Sequence, residues 1–122
     1  MPEKVAILIS HELRRDIFDD ASWESLLRVA EPVLPGAPGP VTAEMARDLL
    51  RGARACVTGW GSPALTADVL AEADLLGLMA HAAGSVKAFV SDALWERGIR
   101  VTSAAPALAI DVAWTTVALM VL

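Results

Sequence analysis

Cysteine occurs once in this 122-residue chain, at Cys56, and histidine twice, at His11 and His81. A single thiol excludes an internal disulfide framework and suits a reducing, cytoplasmic setting. Two histidines and one cysteine without ligand spacing give no basis for a zinc site, so no metal is expected. The glycine signatures of nucleotide enzymes are also absent: neither G-x-G-x-x-G nor a P-loop occurs. No serine lies in a G-x-S-x-G elbow, which removes the case for a hydrolase triad. Basic charge is in deficit, with a net charge of −5 that argues against nucleic acid or an anionic membrane as partner. No secretory leader is read at the start, because Val5 to Ile9 is a short strand-like run rather than a long apolar core.

Hydrophobic residues, by contrast, make up 55% of the chain, enough to fill a core and to exclude global disorder. Val5–Ile9 is continuous and apolar, as in a strand covered on both faces. Ser10 to Arg15 reads as a polar loop. A helix is expected from Asp20 or Ser22, with Trp23, Leu26, Leu27 and Ala30 on one face. Glu31–Leu34, broken by Pro32, reads as an edge strand. The segment Pro35-Gly36-Ala37-Pro38-Gly39-Pro40 reads as a surface loop. Thr42 caps a helix that Gly52 ends, with Met45, Leu49 and Leu50 inward.

From Ala55 onward the pattern is strand, small-residue loop, helix, repeated. Strands are predicted at Ala55–Thr58, Leu76–Ala80 and Ile99–Thr102. Helices are predicted from Thr66, with Val69, Leu70 and Ala73 inward, and from Ser91 or Asp92, with Leu94 and Trp95 as its apolar positions and Gly98 as its stop. A last helix runs from about Ala109 to the end. Its neighbourhood, Ala104 to Leu122, approaches the roughly 20 apolar residues of a membrane span. Pro106, Asp111, Thr115, Thr116 and the lack of flanking Lys or Arg favour a buried or interdomain helix instead. The alternation implies an α/β fold with a flavodoxin-like parallel sheet of about five strands.

Open α/β sheets bind ligands at the carboxyl ends of their strands. Two loops there draw attention. Gly59-Trp60-Gly61-Ser62 could line a cleft, or its glycines could simply permit a tight turn. Ala82-Ala83-Gly84-Ser85-Val86 could present successive N–H groups to a carboxylate or phosphate; alternatively, the small residues could serve packing at a crowded crossing. His11 and His81 could each act as a general base, though a polar structural role is the plainer reading. Of the four tryptophans only Trp60 falls in a candidate site loop.

The stretches Thr58–Ser62, Leu78–Val86 and Gly98–Ala105 together resemble the D-isomer-specific 2-hydroxyacid dehydrogenase family. The resemblance covers roughly the last two thirds of the chain. It implies a flavodoxin-like substrate domain over 1–107, a crossover helix over 108–122, and an NAD-binding Rossmann domain that this sequence does not contain. It implies that Ala83, Gly84 and Ser85 hold the carboxylate of a small 2-hydroxy or 2-oxo acid, with Trp60 and Gly61 beside them. It also implies that Gly84 and Val112 contact NAD or NADP. In the family the last helix begins with Asn and continues Val-Ala-Glu; here Leu108 and Trp114 replace the Asn and Glu while Val112-Ala113 remain. The family's catalytic Arg, Glu and His have no counterpart here, and His81 is not that histidine. No catalytic residue is therefore assigned.

Two readings follow. The first is the N-terminal part of an NAD-dependent oxidoreductase acting on the CH–OH group of 2-hydroxy acids, inactive alone, with no tight cofactor binding and with a possible homodimer through the C-terminal apolar helix. The second is a non-catalytic flavodoxin-like module that binds a small carboxylate or another protein.

Overall fold

The computed structural model of the chain describes residues 2–122. Strands form at Glu3–Ile7 (β1), Ala30–Val33 (β2), Ala55–Thr58 (β3), Leu78–His81 (β4) and Arg100–Ser103 (β5). They pair in the order β2-β1-β3-β4-β5, all parallel. This is the flavodoxin-like arrangement expected from the alternation of strands and helices. Pro32 sits in β2 at the sheet edge, where a residue without an N–H is tolerated.

The two sheet faces differ. On one face Ala6, Cys56 and Met79 pack with Leu8, Leu50, Leu65, Leu70 and Leu94 in the larger core. This side carries helices Ala43–Leu49 and Asp92–Glu96. On the other, Val5, Ile7 and Val57 meet Leu13, Ile17, Trp23 and Leu26. Those residues come from His11–Ile17 (α1) and Asp20–Val29 (α2). Alternation along the strands puts Ala80 and Thr102 on this second face too, in register with Val57. Ala80 is only half-buried and Thr102 is exposed, so the helices cover one half of the face and leave the β4–β5 half open.

The remaining helices are Ala43–Leu49 (α3), Asp92–Glu96 (α4) and Ala105–Met120 (α5). Thr42 and Ser91 cap α3 and α4 through their side-chain oxygens. Gly52 and Gly98 follow the helices with φ of 72° and 70°, the left-handed conformation that glycine adopts without cost.

Several expectations need correction. Ser10–Arg15 is not a loop: Ser10 accepts from the Leu13 N–H and starts α1. Leu13 and Ile17, four apart and both half-buried, supply the apolar stripe of this otherwise polar helix. The cap of α2 is Asp19, whose carboxylate accepts from the Ser22 N–H at 2.8 Å. Thr66 begins isolated turns, not a helix. The main-chain bonds that follow close three-residue turns, Ala71 to Asp68, Ala73 to Leu70 and Leu76 to Ala73, and Arg97 adds bonds to the Leu70 and Ala73 carbonyls. Strand β1 covers Glu3–Ile7 rather than Val5–Ile9, although Leu8 and Ile9 remain buried. β4 and β5 also lie one or two residues later than expected. Leu27 and Trp95 point outward, at 50% and 51% exposure. Helix α5 starts at Ala105, because Pro106 occupies the first helical turn, where its missing N–H is harmless.

Candidate functional site

The carboxyl ends of β3, β4 and β5 lie side by side, with Thr58 opposite His81 and His81 opposite Ser103. The loops that follow β3 and β4 therefore leave the sheet as neighbours. This brings Trp60 and Gly61 to the same edge as Ala83, Gly84 and Ser85. Val112 lies farther along α5 and is 63% exposed.

The glycines of the first loop have structural explanations. A Cβ on Gly59 would lie 3.0 Å from Ile9 Cγ2 and within van der Waals contact of Leu13 and Ile17, so α1 packs directly on this backbone. Gly61 has φ of 84°. Ser62 fastens the turn: its hydroxyl accepts from the Gly59 N–H at 3.0 Å and donates to the Leu8 carbonyl. Trp60 projects from this fixed turn, 62% exposed.

Gly84 is different. Its φ is not positive, and a Cβ there would meet only Leu108 Cδ1, at an ordinary 3.7 Å. Neither backbone conformation nor packing demands glycine at this position. Ala82 N–H donates to the Thr58 carbonyl at 2.7 Å, and Ala104 N–H donates to the carbonyls of His81 and Ala83 at 3.1 and 3.0 Å. The N–H groups of Ala83, Gly84, Ser85 and Val86 donate to no protein acceptor among the described residues. Ala83 is itself buried, at 1% exposure. A buried N–H without an acceptor is costly, which applies at Ala83, whereas Gly84 is half-buried and Ser85 exposed, so the amides open toward the outside of the loop. Leu108 links the first turns of α5 to this loop.

Sequence reading missed the support beneath the loop. His81 is 3% exposed, and its Nδ1 lies 2.8 Å from Thr58 Oγ1. Phe89 packs on the ring with centroids 4.6 Å apart. Burial pushes the His81 pKa below its usual 6.5, and a hydrogen bond with the Ser85 main chain pulls the other way. Equal positions in neighbouring parallel strands, each just before a small-residue loop, were the signal that could have paired Thr58 with His81. His11 sits elsewhere, with Nε2 2.8 Å from the Pro35 carbonyl oxygen.

Beside the loop runs a cleft of about 230 Å³, lined by Phe18, Val57, Ala80, His81, Thr102 and Ala104 among others. It occupies the carboxyl end of the open half-face. Two further clefts, one near Arg97 and one beside α3, lie away from both candidate loops. No group of three or more potential metal ligands occurs among the described residues.

An α/β chain with this strand order and small-residue loops at the carboxyl edge has the architecture of a ligand-binding domain of the doubly wound class. Solved structures that share this fold include D-isomer-specific 2-hydroxyacid dehydrogenases and related oxidoreductases. A phosphoglycerate oxidoreductase from Rhizobium etli is similar at 26% identity over 84% of this chain, with a TM-score of 0.61. A Polaromonas protein whose name places it among NAD-binding, D-isomer-specific 2-hydroxyacid dehydrogenases shares 16% identity over 83%, with a TM-score of 0.67. D-mandelate dehydrogenase from Rhodotorula graminis shares 21% over 85%, with a TM-score of 0.57. The resemblance read from the three loop segments thus holds in three dimensions. The chain spans 30% of the first two of these chains and 31% of the third. No protein-family model matches the sequence. No curated protein matches it either.

Proposed function

We propose that these residues are the acid-binding part of an NAD-dependent oxidoreductase acting on the CH–OH group of small 2-hydroxy acids, or reducing the matching 2-oxo acids. The observation that carries this reading is the set of N–H groups at Ala83, Gly84 and Ser85, free of protein acceptors beside a glycine that the fold itself does not require. These amides hold the substrate carboxylate. Main-chain donors need no side-chain ordering, so their geometry is fixed before the ligand arrives. Trp60 and Gly61, on the adjoining loop, form the rim against the rest of the acid.

NAD or NADP, when bound, supplies the hydride chemistry. This chain's own residues do not fit a dinucleotide site. The turn after β1 is a Ser10-capped helix rather than a glycine turn, and Val112 stands exposed. Gly84 and Val112 are contacts at the edge of a cofactor held by a nucleotide-binding part outside these 122 residues. Residues 1–107 form the acid-binding body, and 108–122 the crossover to that part. No catalytic acid or base is assigned. The buried Cys56 suits a reducing cytoplasm. Helix α5 is mostly apolar, interrupted by Asp111, Thr115 and Thr116, and has no buried residue, which favours a homodimer through α5 wherever the nucleotide-binding part does not cover it.

Calorimetric titration with pyruvate, glyoxylate and hydroxypyruvate, alongside acetone as a neutral control, tests the reading. The acids are expected to bind while acetone does not, and NADH oxidation by the chain alone is expected to stay at background. Equal binding of acetone contradicts the carboxylate assignment. Sustained turnover contradicts the division of labour.

A further inference from the structure

His81 is the one buried titratable group at the carboxyl edge that the reading above leaves without a role. It ends β4, and the residues after it are the anion loop. Its Nδ1 is paired with Thr58 Oγ1 at 2.8 Å, and Phe89, which follows the loop, packs on its ring with centroids 4.6 Å apart. With Nδ1 accepting from the Thr58 hydroxyl, the proton of the neutral ring sits on Nε2. The imidazole is thus a strut between the end of β3 and the residue at the far end of a loop that has few other internal ties. Ser85 Oγ accepts only the Lys87 N–H, at 3.3 Å.

We propose that His81 is a positioning residue for the acid site: its braced ring sets the direction of the amides at Ala83, Gly84 and Ser85 and takes up a proton in step with the anion they hold. This inference rests on the carboxylate reading of the loop. Its physical basis is reciprocal. An anion at those amides lies beside the ring and lowers the cost of a buried imidazolium. A protonated ring adds a positive charge beside the anion, so each favours the other by the same factor. The charged residues on neighbouring elements are Glu12, Arg14, Arg15 and Asp16 of α1, Asp19 before α2, Lys87 in the loop itself, Arg100 of β5 and Asp111 of α5. None hydrogen-bonds the ring, and none accounts for its shift, which comes from burial and the Ser85 main chain.

The test is NMR titration of the His81 side chain in the whole chain, with and without saturating pyruvate. His81 is expected to titrate below 6.5 in the free chain and to move upward with pyruvate. Each unit of upward movement corresponds to tenfold tighter pyruvate binding to the protonated form. In the free chain the Gly84 and Ser85 amide signals are expected to follow the His81 titration. That step should vanish in His81→Gln. Thr58→Val, which removes the hydroxyl partner while leaving the imidazole, should shift the step along the pH axis without abolishing it.

If pyruvate moves the loop amides but leaves the His81 titration unchanged, the proton linkage is wrong while the carboxylate reading stands. If pyruvate moves neither, the carboxylate reading fails. The free-chain arm then still judges the strut, which is overturned if the amides ignore the His81 titration or if the step persists in His81→Gln.

Discussion

Gly84 and Gly59 look alike in the sequence, each a glycine within a small-residue loop after a strand. The structure separates them. Gly59→Ala drives a methyl to 3.0 Å from Ile9 Cγ2 and should cost about 1–3 kcal/mol, read as a lowered melting temperature. Gly84→Ala finds ordinary space beside Leu108, so its melting temperature should stay near that of the parent. Its binding of 2-oxo acids should fall at least about tenfold, because a side chain then stands where the ligand approaches the backbone. Cys56 tests a different point. Burial pushes its thiol pKa up to about 12, so it should resist thiol-disulfide reagents at pH 8 until the chain is unfolded. The depressed His81 pKa gives stability a direction with pH. The unfolded chain binds a proton more readily than the folded one, so this contribution is present above 6.5 and is lost as pH falls from there through the lower folded value. Melting temperatures across pH 5 to 8 should show that loss, and His81→Gln should remove its share.

At the scale of elements, most of the fold was legible because strand and helix periods were undisturbed. β3 runs over Ala55–Thr58 as read, and the stops at Gly52 and Gly98 follow from a left-handed residue where only glycine is unstrained. Failures came where a local signal met a tertiary partner. The polar surface of α1 hid the Leu13–Ile17 pair that packs under β1 and β3. The turns after Thr66 look helical in sequence, but their bonds close three-residue turns, which Arg97, distant in the chain, pins at the Leu70 and Ala73 carbonyls. Proline at Pro106 reads as a breaker but also suits a first helical turn, and the second role prevails. In the site, the loop's small residues were visible, whereas the Thr58–His81 pairing depends on strand register, which no single segment carries. Helix α5 supplies a prediction of its own. A chain ending at Leu108 keeps the contact to Gly84 and loses only exposed surface, since α5 has no buried residue. It should melt close to the parent temperature, and on size-exclusion chromatography it should be monomeric where the parent self-associates.

Across the whole molecule, chemistry gathers at one edge. The net charge of −5 does not by itself attract an acid, so the proposed reading draws recognition from local donors rather than from the overall field. The parallel sheet supplies those donors by ending three adjacent strands at the same level, where β4 hands the chain to Ala83, Gly84 and Ser85. The bare half-face over β4 and β5 and the uncovered α5 flank this edge. No helix of the described chain is long and apolar enough to cross a membrane. The proposed reading puts function at this edge on the strength of a loop whose amides have no internal acceptor. The most direct measurement is the proton–nitrogen NMR spectrum of the whole chain during titration with pyruvate. The account predicts saturable movement of the Ala83, Gly84 and Ser85 amide signals, absent with acetone; unmoved signals from these three residues while others respond would contradict it.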